Sequence, residues 1–236
     1  MSVMMKFLGV RGADDAETGR KSRRATLLAM NERDARLVWR ISALLLDYPT
    51  QQTLDLLEDL HRAASLLPDG GRDLVEFIEY AGRTPLLELS AQYVETFDLR
   101  RRASLHLSYY AHGDTRGRGM ALLRFKHAYR TAGVELGDEE LPDHLPVVLE
   151  FAATVDAEQG ARLLGEHVPP LELLRLSLLD SGSPYASVLA AVVATLPALT
   201  TADRRRIEQL AADGPPTEDV GLEPFAMDPT MGGGRR

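Results

Sequence analysis

Apolar residues recur at helical spacing along most of this 236-residue chain, and that periodicity restricts the fold more than any other feature. The clearest example is Leu37, Ile41, Leu44 and Leu45, which share one face of a helix, and further stripes of this kind follow. Sustained alternation of polar and apolar residues, the pattern of half-buried strands, is missing. The sequence therefore predicts an all-α, single-domain bundle of about nine helices over residues 31–213.

The apolar stripes also predict the core and the limits of the domain. Residues 1–30 mix glycines with charges and are expected to form a loose arm. Residues 214–236 begin with a helix stop, Gly214-Pro215-Pro216. They can bury little apolar surface and are expected to be a disordered tail. Six residues are expected in or near the core: Leu45, Leu89, Tyr93, Phe97, Leu123 and Leu149.

Catalytic and metal-binding patterns are missing from the sequence. The chain has no cysteine, which excludes disulfides, thiolate zinc sites and a cysteine nucleophile. Its six histidines form no H-E-x-x-H pair, and there is no Gly-x-Ser-x-Gly elbow. We therefore expect a protein that is not an enzyme and that holds no cofactor or metal.

Charge and hydropathy narrow the choice of partners and compartment. The net charge of −8 argues against a general affinity for nucleic acid. A membrane-spanning helix needs about 20 apolar residues, and the apolar runs here are shorter. A twin-arginine sequence at Arg23-Arg24 continues into charged residues instead of an export signal. We expect a cytoplasmic protein without membrane insertion.

The sign of the charge changes abruptly within the chain. From Leu99 to Val134 there are eight Lys or Arg residues and one acid, whereas from Glu135 to Glu158 there are eight acids and no Lys or Arg. One interpretation is a pair of helices whose faces attract each other. The other is a surface with a basic flank and an acidic flank, the second of which would suit a basic amphipathic peptide beside an apolar groove.

The change of sign falls on the segment Glu140–Pro146, here called the hinge segment. Its two prolines, Pro142 and Pro146, fix φ and disfavour helix at the preceding residues. The segment is either a stiff extended linker or a linker in which Asp143 caps a helix that has Pro146 in its first turn. A rigid hinge is a natural wall for a peptide groove, and a plain connection between helices is the alternative. We expect the hinge segment to serve client binding and not folding.

A glycine-rich turn and a basic stretch keep two other functions open. Gly113–Gly119 lacks the strand and the G-K-[ST] ending of a phosphate loop, so a helix start capped by Asp114 or Thr115 is favoured over nucleotide binding. An all-α nucleotide-binding enzyme that uses this turn remains an alternative. So does a helical nucleic-acid-binding protein that uses the basic residues 100–130.

Three stretches, in the right order over about residues 35–200, resemble the NarJ type of assembly chaperone. These proteins are the delta subunits of respiratory nitrate reductase, within the wider redox-enzyme maturation chaperones. The hinge segment resembles the family's E-L-P-D-H-L-P sequence. The other two stretches are Leu44-Leu45-Leu46-Asp47-Tyr48-Pro49, and a run that includes Tyr93-Val94-Glu95-Thr96-Phe97-Asp98, Ser104-Leu105 and Gly113–Gly119.

The resemblance implies an all-helical, non-catalytic chaperone of the cytoplasm. Its partner would be the apo catalytic (alpha) subunit of nitrate reductase, bound at an N-terminal leader-like segment and held for molybdenum cofactor insertion before membrane docking. Contact with the proteins that insert the cofactor stays open, and Arg100–Arg102 have no role in this picture. The residues expected to bind the client peptide are Tyr93, Phe97, Glu140, Leu141, Pro142, Asp143, His144, Leu145 and Pro146.

Overall fold

The structure is a computed structural model that describes residues 7–8, 30–68, 71–113, 115–137 and 140–214. Within these ranges the regular secondary structure is helical, apart from one short strand pair and one isolated β-bridge. The α-helices are α1 (Glu32–Leu45), α2 (Gln51–Asp55), α3 (Leu57–Ala64), α4 (Gly71–Arg83), α5 (Leu86–Tyr93), α6 (Tyr109–His112), α7 (Gly117–Thr131), α8 (Leu145–Thr154), α9 (Ala157–Glu166), α10 (Val168–Asp180), α11 (Tyr185–Ala194) and α12 (Thr201–Asp213). A π-helical turn, Val94–Asp98, continues α5, and a 3-10 turn spans Arg101–Ala103.

The all-α prediction is confirmed, and the number of helices differs from the expected nine. The described ranges contain twelve α-helices. The five-residue α2 ends before Leu56, whose backbone N–H bonds to the Thr53 carbonyl instead of to the residue four positions back, and α3 begins at Leu57. The four-residue α6 has too few positions to show a period. None of the helices in the described ranges combines the length and hydropathy of a membrane-spanning segment.

Helix α1 lies at the centre of the bundle. Its N-terminus is capped by the Asn31 side chain, which accepts a hydrogen bond from the Asp34 N–H. Trp39 on α1 is fully buried, and its indole N–H donates to the Thr195 hydroxyl across 156 residues of sequence. Helix α1 packs against α8 and α11, so the N-terminal helix is covered by the C-terminal half of the chain.

Helices α8 and α9 approach each other closely. A Cβ atom placed on Gly160 would lie 2.3 Å from the Cβ of Ala152 and 2.4 Å from its Cα. Glycine is therefore required at this crossing, because any side chain would push the two helices apart. Helix α8 is apolar almost throughout and carries the hinge segment at its N-terminus.

Five of the six residues expected in the core are buried, and one is not. Leu45, Leu89, Tyr93, Phe97 and Leu149 are buried, as predicted. Leu123 is 50% exposed, so its assignment to the core was wrong. The buried side of α7 is formed by Phe125, Ala128 and Tyr129, and Leu123 lies on the opposite face of the same helix.

A short antiparallel pair of strands joins two distant parts of the chain. Strand β1 (Phe7–Leu8) pairs with strand β2 (Glu135–Leu136), with Phe7 opposite Leu136. Apart from residues 7–8 and Met30, the expected N-terminal arm lies outside the described residues. The expected tail also lies outside them beyond Gly214.

Candidate functional site

The hinge segment leads directly into α8. His144 has extended backbone angles and occupies the N-cap position, and Pro146 lies in the first helical turn, where a missing N–H costs nothing. Of the two alternatives for this segment, the one in which Asp143 caps the helix is wrong. Its carboxylate turns away from α8 and finds partners on the segment before α6 and on α7.

Backbone hydrogen bonds fasten the hinge segment to residues 105–107. The Leu107 N–H donates to the Asp143 carbonyl over 3.0 Å, and the Leu145 N–H donates to the Leu105 carbonyl over 2.8 Å. These two bonds form an isolated β-bridge that sets His106 opposite His144. The segment is therefore a fixed element of the fold and not a free linker.

The Asp143 carboxylate is a buried polar centre with partners on three sides. Its Oδ2 accepts hydrogen bonds from the Ser108 N–H (3.1 Å) and the Ser108 hydroxyl (2.5 Å), and Arg118 Nη2 lies 3.4 Å away. His106 Nδ1 lies 3.4 Å from Oδ1. Burial alone would raise the pKa of Asp143. The nearby His106 ring, the hydrogen bonds from Ser108 and the charge of Arg118 outweigh burial and hold that pKa well below its usual range.

Three further contacts hold the hinge segment in place. The Tyr129 hydroxyl donates to the Pro142 carbonyl over 2.6 Å, and burial raises the pKa of that hydroxyl. His144 Nδ1 lies 3.1 Å from Glu140 Oε2. The His106 and His144 rings face each other with centroids 5.1 Å apart. The segment is thus held by α7, by residues 105–108 and by its own side chains.

Burial divides the predicted client-binding residues of the hinge segment into two groups. Glu140 is half-buried and Leu141 is 40% exposed, so both can contact a partner. The five buried residues are Pro142, Asp143, His144, Leu145 and Pro146. Because Asp143 is fully buried and hydrogen-bonded, the expectation that the hinge segment serves client binding and not folding does not hold for this residue.

The predicted site residues Tyr93 and Phe97 lie in an aromatic cluster under α5 and the π-helical turn. The Tyr93 ring is 4.9 Å from Phe97 and 5.5 Å from Tyr48, and Phe97 is 4.9 Å from Tyr185. Both predicted residues are buried. Burial raises the pKa of the Tyr93 hydroxyl, and Glu140 is among the nearby groups that add to the rise.

A groove with an apolar lining lies over the aromatic cluster, and we call it the α5 groove. Its volume is about 360 Å³, and its lining residues are Tyr48, Leu87, Ser90, Ala91, Val94, Glu95 and Leu99. Leu87 is 84% exposed and Leu99 is 74% exposed. Large apolar side chains this exposed, grouped around one groove, are typical of a surface that binds another molecule. The π-helical turn in its floor is a feature frequently found at functional sites.

The sequence identified Tyr93 and Phe97 in the aromatic cluster beneath the α5 groove and missed the exposed leucines that line it. Leu87 and Leu99 lie outside the stripe that contains Leu89, Tyr93 and Phe97. Apolar residues out of phase with a buried stripe are the signal that could have indicated them. The partners of Asp143 at Ser108 and Arg118 were also missed, because no short-range pattern connects them to it.

The glycine-rich turn serves the hinge segment. Gly113 has a φ of 54°, a conformation that glycine adopts without strain, and α7 begins at Gly117. The Thr115 hydroxyl donates to the His112 carbonyl, so Thr115 does not cap α7 as expected, and Asp114 lies outside the described residues. Arg118 of the turn pairs with Asp143, which joins the basic stretch of the chain to the acidic stretch.

The side chains of Arg100 and Arg102 lie in different places on the protein. Arg100 pairs with Glu95 beside the α5 groove at 2.8 Å. Arg102 lines a second cavity, of about 440 Å³, between α10 and α12. Among the described residues no group of three or more His, Asp or Glu side chains is arranged to hold a metal ion.

Comparisons of the sequence with known proteins place the chain in a family. The family model for nitrate reductase delta subunits matches residues 64–191. The nitrate reductase-like protein NarX of Mycobacterium tuberculosis is 43% identical over 164 residues, which are 67% of this chain and 24% of that protein. The chain thus spans about a quarter of that relative's length.

Two shorter relatives match over most of their own length. The probable nitrate reductase molybdenum cofactor assembly chaperone NarJ of Bacillus subtilis is 30% identical over 71% of this chain and 92% of its own. The nitrate reductase molybdenum cofactor assembly chaperone NarJ of Escherichia coli K12 is 32% identical over 72% of each chain. The resemblance found in the sequence is confirmed, and the chain belongs to the nitrate reductase delta subunit family.

Proposed function

We propose that this protein is a system-specific assembly chaperone for a respiratory nitrate reductase. It binds the apo catalytic subunit at its N-terminal leader-like segment in the cytoplasm and holds it for molybdenum cofactor insertion before membrane docking. The protein itself carries out no catalysis and needs no cofactor.

The observation that carries this proposal is the exposed α5 groove in a member of the delta subunit family. The names of the two NarJ relatives support an assembly role. An amphipathic client helix would place its apolar side chains against Tyr48, Leu87 and Leu99. Each apolar anchor that becomes well buried contributes about 1.5–3 kcal/mol before ordering costs. Apolar contacts therefore set the affinity for the client.

The hinge segment supplies the acidic side of the proposed site. Glu140 and Leu141 reach solvent, and the charge of Glu140 adds to the rise in the pKa of Tyr93 in the aromatic cluster. An exposed pair between Glu140 and a basic client residue contributes only about 0–1 kcal/mol, so it orients the client more than it holds it. The buried residues of the hinge segment and Tyr93 and Phe97 act by positioning the surface. Proteins that deliver the cofactor are further candidate partners in this scheme.

Binding of the catalytic subunit's N-terminal peptide, measured by calorimetry, tests the proposal. The variant Leu87→Ser removes an apolar side chain from the groove, and Leu66→Ser is its matched control, since Leu66 is 81% exposed and lies on another part of the surface. We expect Leu87→Ser to weaken binding about tenfold, because it removes roughly 1–2 kcal/mol of apolar contact, and Leu66→Ser to leave it unchanged. Equal affinities for both variants would show that the peptide binds elsewhere.

Maturation of the enzyme tests the biological role separately. Cells that produce only the Leu87→Ser chaperone should contain less active nitrate reductase and more molybdenum-free catalytic subunit than cells with Leu66→Ser. Normal maturation in cells that lack the chaperone entirely would contradict the assembly role, whatever the peptide does.

A further inference from the structure

The outward face of α7 is both basic and apolar, and it is not part of the α5 groove. Met120 is 70% exposed and Leu123 is 50% exposed. With His127, these side chains lie along one line of the helix, at i, i+3 and i+7. The exposed basic residues that flank this line are Arg124, Lys126 and Arg130. We call this set of residues the α7 face.

Within the described ranges, Arg124, Lys126 and Arg130 form no ion pair. The sequence explains this, because no Asp or Glu occurs from residue 115 to residue 134. The arginines of α12 differ, since Asp203 and Glu208 of the same helix are interspersed with them. In a chain of net charge −8, an unneutralised basic face is a local feature that attracts an acidic partner.

A small pocket adjoins the C-terminal end of the α7 face. It has a volume of about 200 Å³, and its lining residues are Lys126, Tyr129, Arg130, Val134, Glu135 and Leu136. Lys126 and Arg130 belong to both the face and the pocket. Cations beside apolar side chains suit an acidic side chain whose carbon stem is held against an apolar surface.

We propose that the α7 face and this pocket bind an acidic amphipathic helix of a protein partner. The apolar side of that helix contacts Met120 and Leu123, and its carboxylates pair with Arg124, Lys126 and Arg130. A protein fits better than a lipid surface, because two exposed apolar side chains give little to insert into a bilayer and the pocket has the size of a side chain. This surface and its charge preference differ from those of the client site.

Charge reversal on two exposed helices tests the proposal. The probe is a fluorescent synthetic helix with glutamates on both sides of a leucine stripe, and its affinity for the full-length protein is measured by anisotropy. The variant Arg124→Glu/Arg130→Glu changes the α7 face. The matched control, Arg204→Glu/Arg205→Glu, makes the same change in charge on exposed residues of α12. Circular dichroism verifies that both proteins are folded.

We expect the α7 variant to bind the probe at least about tenfold more weakly than the control variant, which should bind nearly as the wild type does. Leu123→Ser should also weaken binding, by a factor that does not depend on salt. Equal losses in the two charge variants would overturn the proposal, since they would reflect net charge alone. No binding of the probe by the wild type, or preferential binding of phosphatidylglycerol vesicles, would also overturn it.

Discussion

Ser108 holds Asp143 by two hydrogen bonds, one from its N–H and one from its hydroxyl, to the same carboxylate oxygen. The two residues are 35 positions apart, so this contact fixes the hinge segment against a distant part of the chain. The Ser108 hydroxyl also accepts from Arg118 Nε at 3.2 Å, which links the carboxylate, the serine and α7 in one buried network. Asp143 therefore stabilises the fold and fixes the position at which Glu140 and Leu141 reach solvent.

Replacing Asp143 by Asn should destabilise the protein by about 2–4 kcal/mol at pH 7, because the charge-assisted hydrogen bonds with Ser108 and the ion pair with Arg118 are lost. The effect should depend on pH. A carboxyl whose pKa is lowered by folding contributes stability above its unfolded pKa of about 3.9, and that contribution is lost as the pH falls below this value. Urea unfolding from pH 7 down to pH 2.5 measures both effects.

The difference in the free energy of unfolding between the wild type and Asp143→Asn should therefore decrease as the pH falls. Asp180→Asn is the control, because Asp180 is exposed and forms no ion pair in the described ranges. A constant difference between wild type and Asp143→Asn over the whole pH range would show that Asp143 is not ionised in the folded protein.

Replacing Gly160 by Ala should destabilise the protein by about 1–3 kcal/mol, since the new methyl group would overlap Ala152 of α8. Gly165→Ala is the control on the same helix, α9. A Cβ at Gly165 meets nothing within 4 Å, and alanine favours a helix over glycine by up to about 1 kcal/mol. Thermal melts should move in opposite directions, and a stabilised Gly160→Ala would show that the two helices can separate without cost.

Replacing Thr195 by Val should cost about 1–3 kcal/mol, because the buried indole N–H of Trp39 loses its acceptor while the volume of the side chain is kept. Trp39 is the single tryptophan of the chain, so its fluorescence reports directly on this contact. The emission spectrum of the folded variant should change along with the urea midpoint. An unchanged spectrum and midpoint would mean that the indole has another acceptor.

Replacing Leu141 by Ser should weaken binding of the client peptide several-fold without a loss of stability, given that client binding occurs where we propose. The side chain is 40% exposed, so little of the core depends on it. Calorimetry of the peptide, beside a thermal melt, measures both properties, with Leu66→Ser as the control. Unchanged affinity would show that the client does not contact Leu141 of the hinge segment.

The sequence predicted the elements of this fold better than their connections. Helical periodicity identified the buried faces that contain Leu45, Leu89 and Leu149, because burial repeats every three to four residues along a helix. It could not foresee that Asp143 would turn from α8 towards Ser108. That choice depends on a contact between segments far apart in sequence, and local capping rules carry no information on it.

The α5 groove shows the same limit at the site. The aromatic cluster beneath the groove followed from the stripe that includes Tyr93 and Phe97, whereas the exposed lining at Leu87 and Leu99 required the three-dimensional arrangement. A lone exposed leucine is ordinary, and only proximity turns several of them into a surface.

The packing of α1 against α8 and α11 has a consequence for synthesis of the chain. About 100 residues separate the end of α1 at Leu45 from the start of α8 at Leu145. At roughly 5–20 residues per second, the ribosome takes about 5–20 s to make them. During that interval α8 and α11 do not yet exist, and α1 can contact only its lesser partners, α3 and α4. The protein therefore completes its core only late in translation, and until then it needs the same protection from aggregation that we propose it gives to its client.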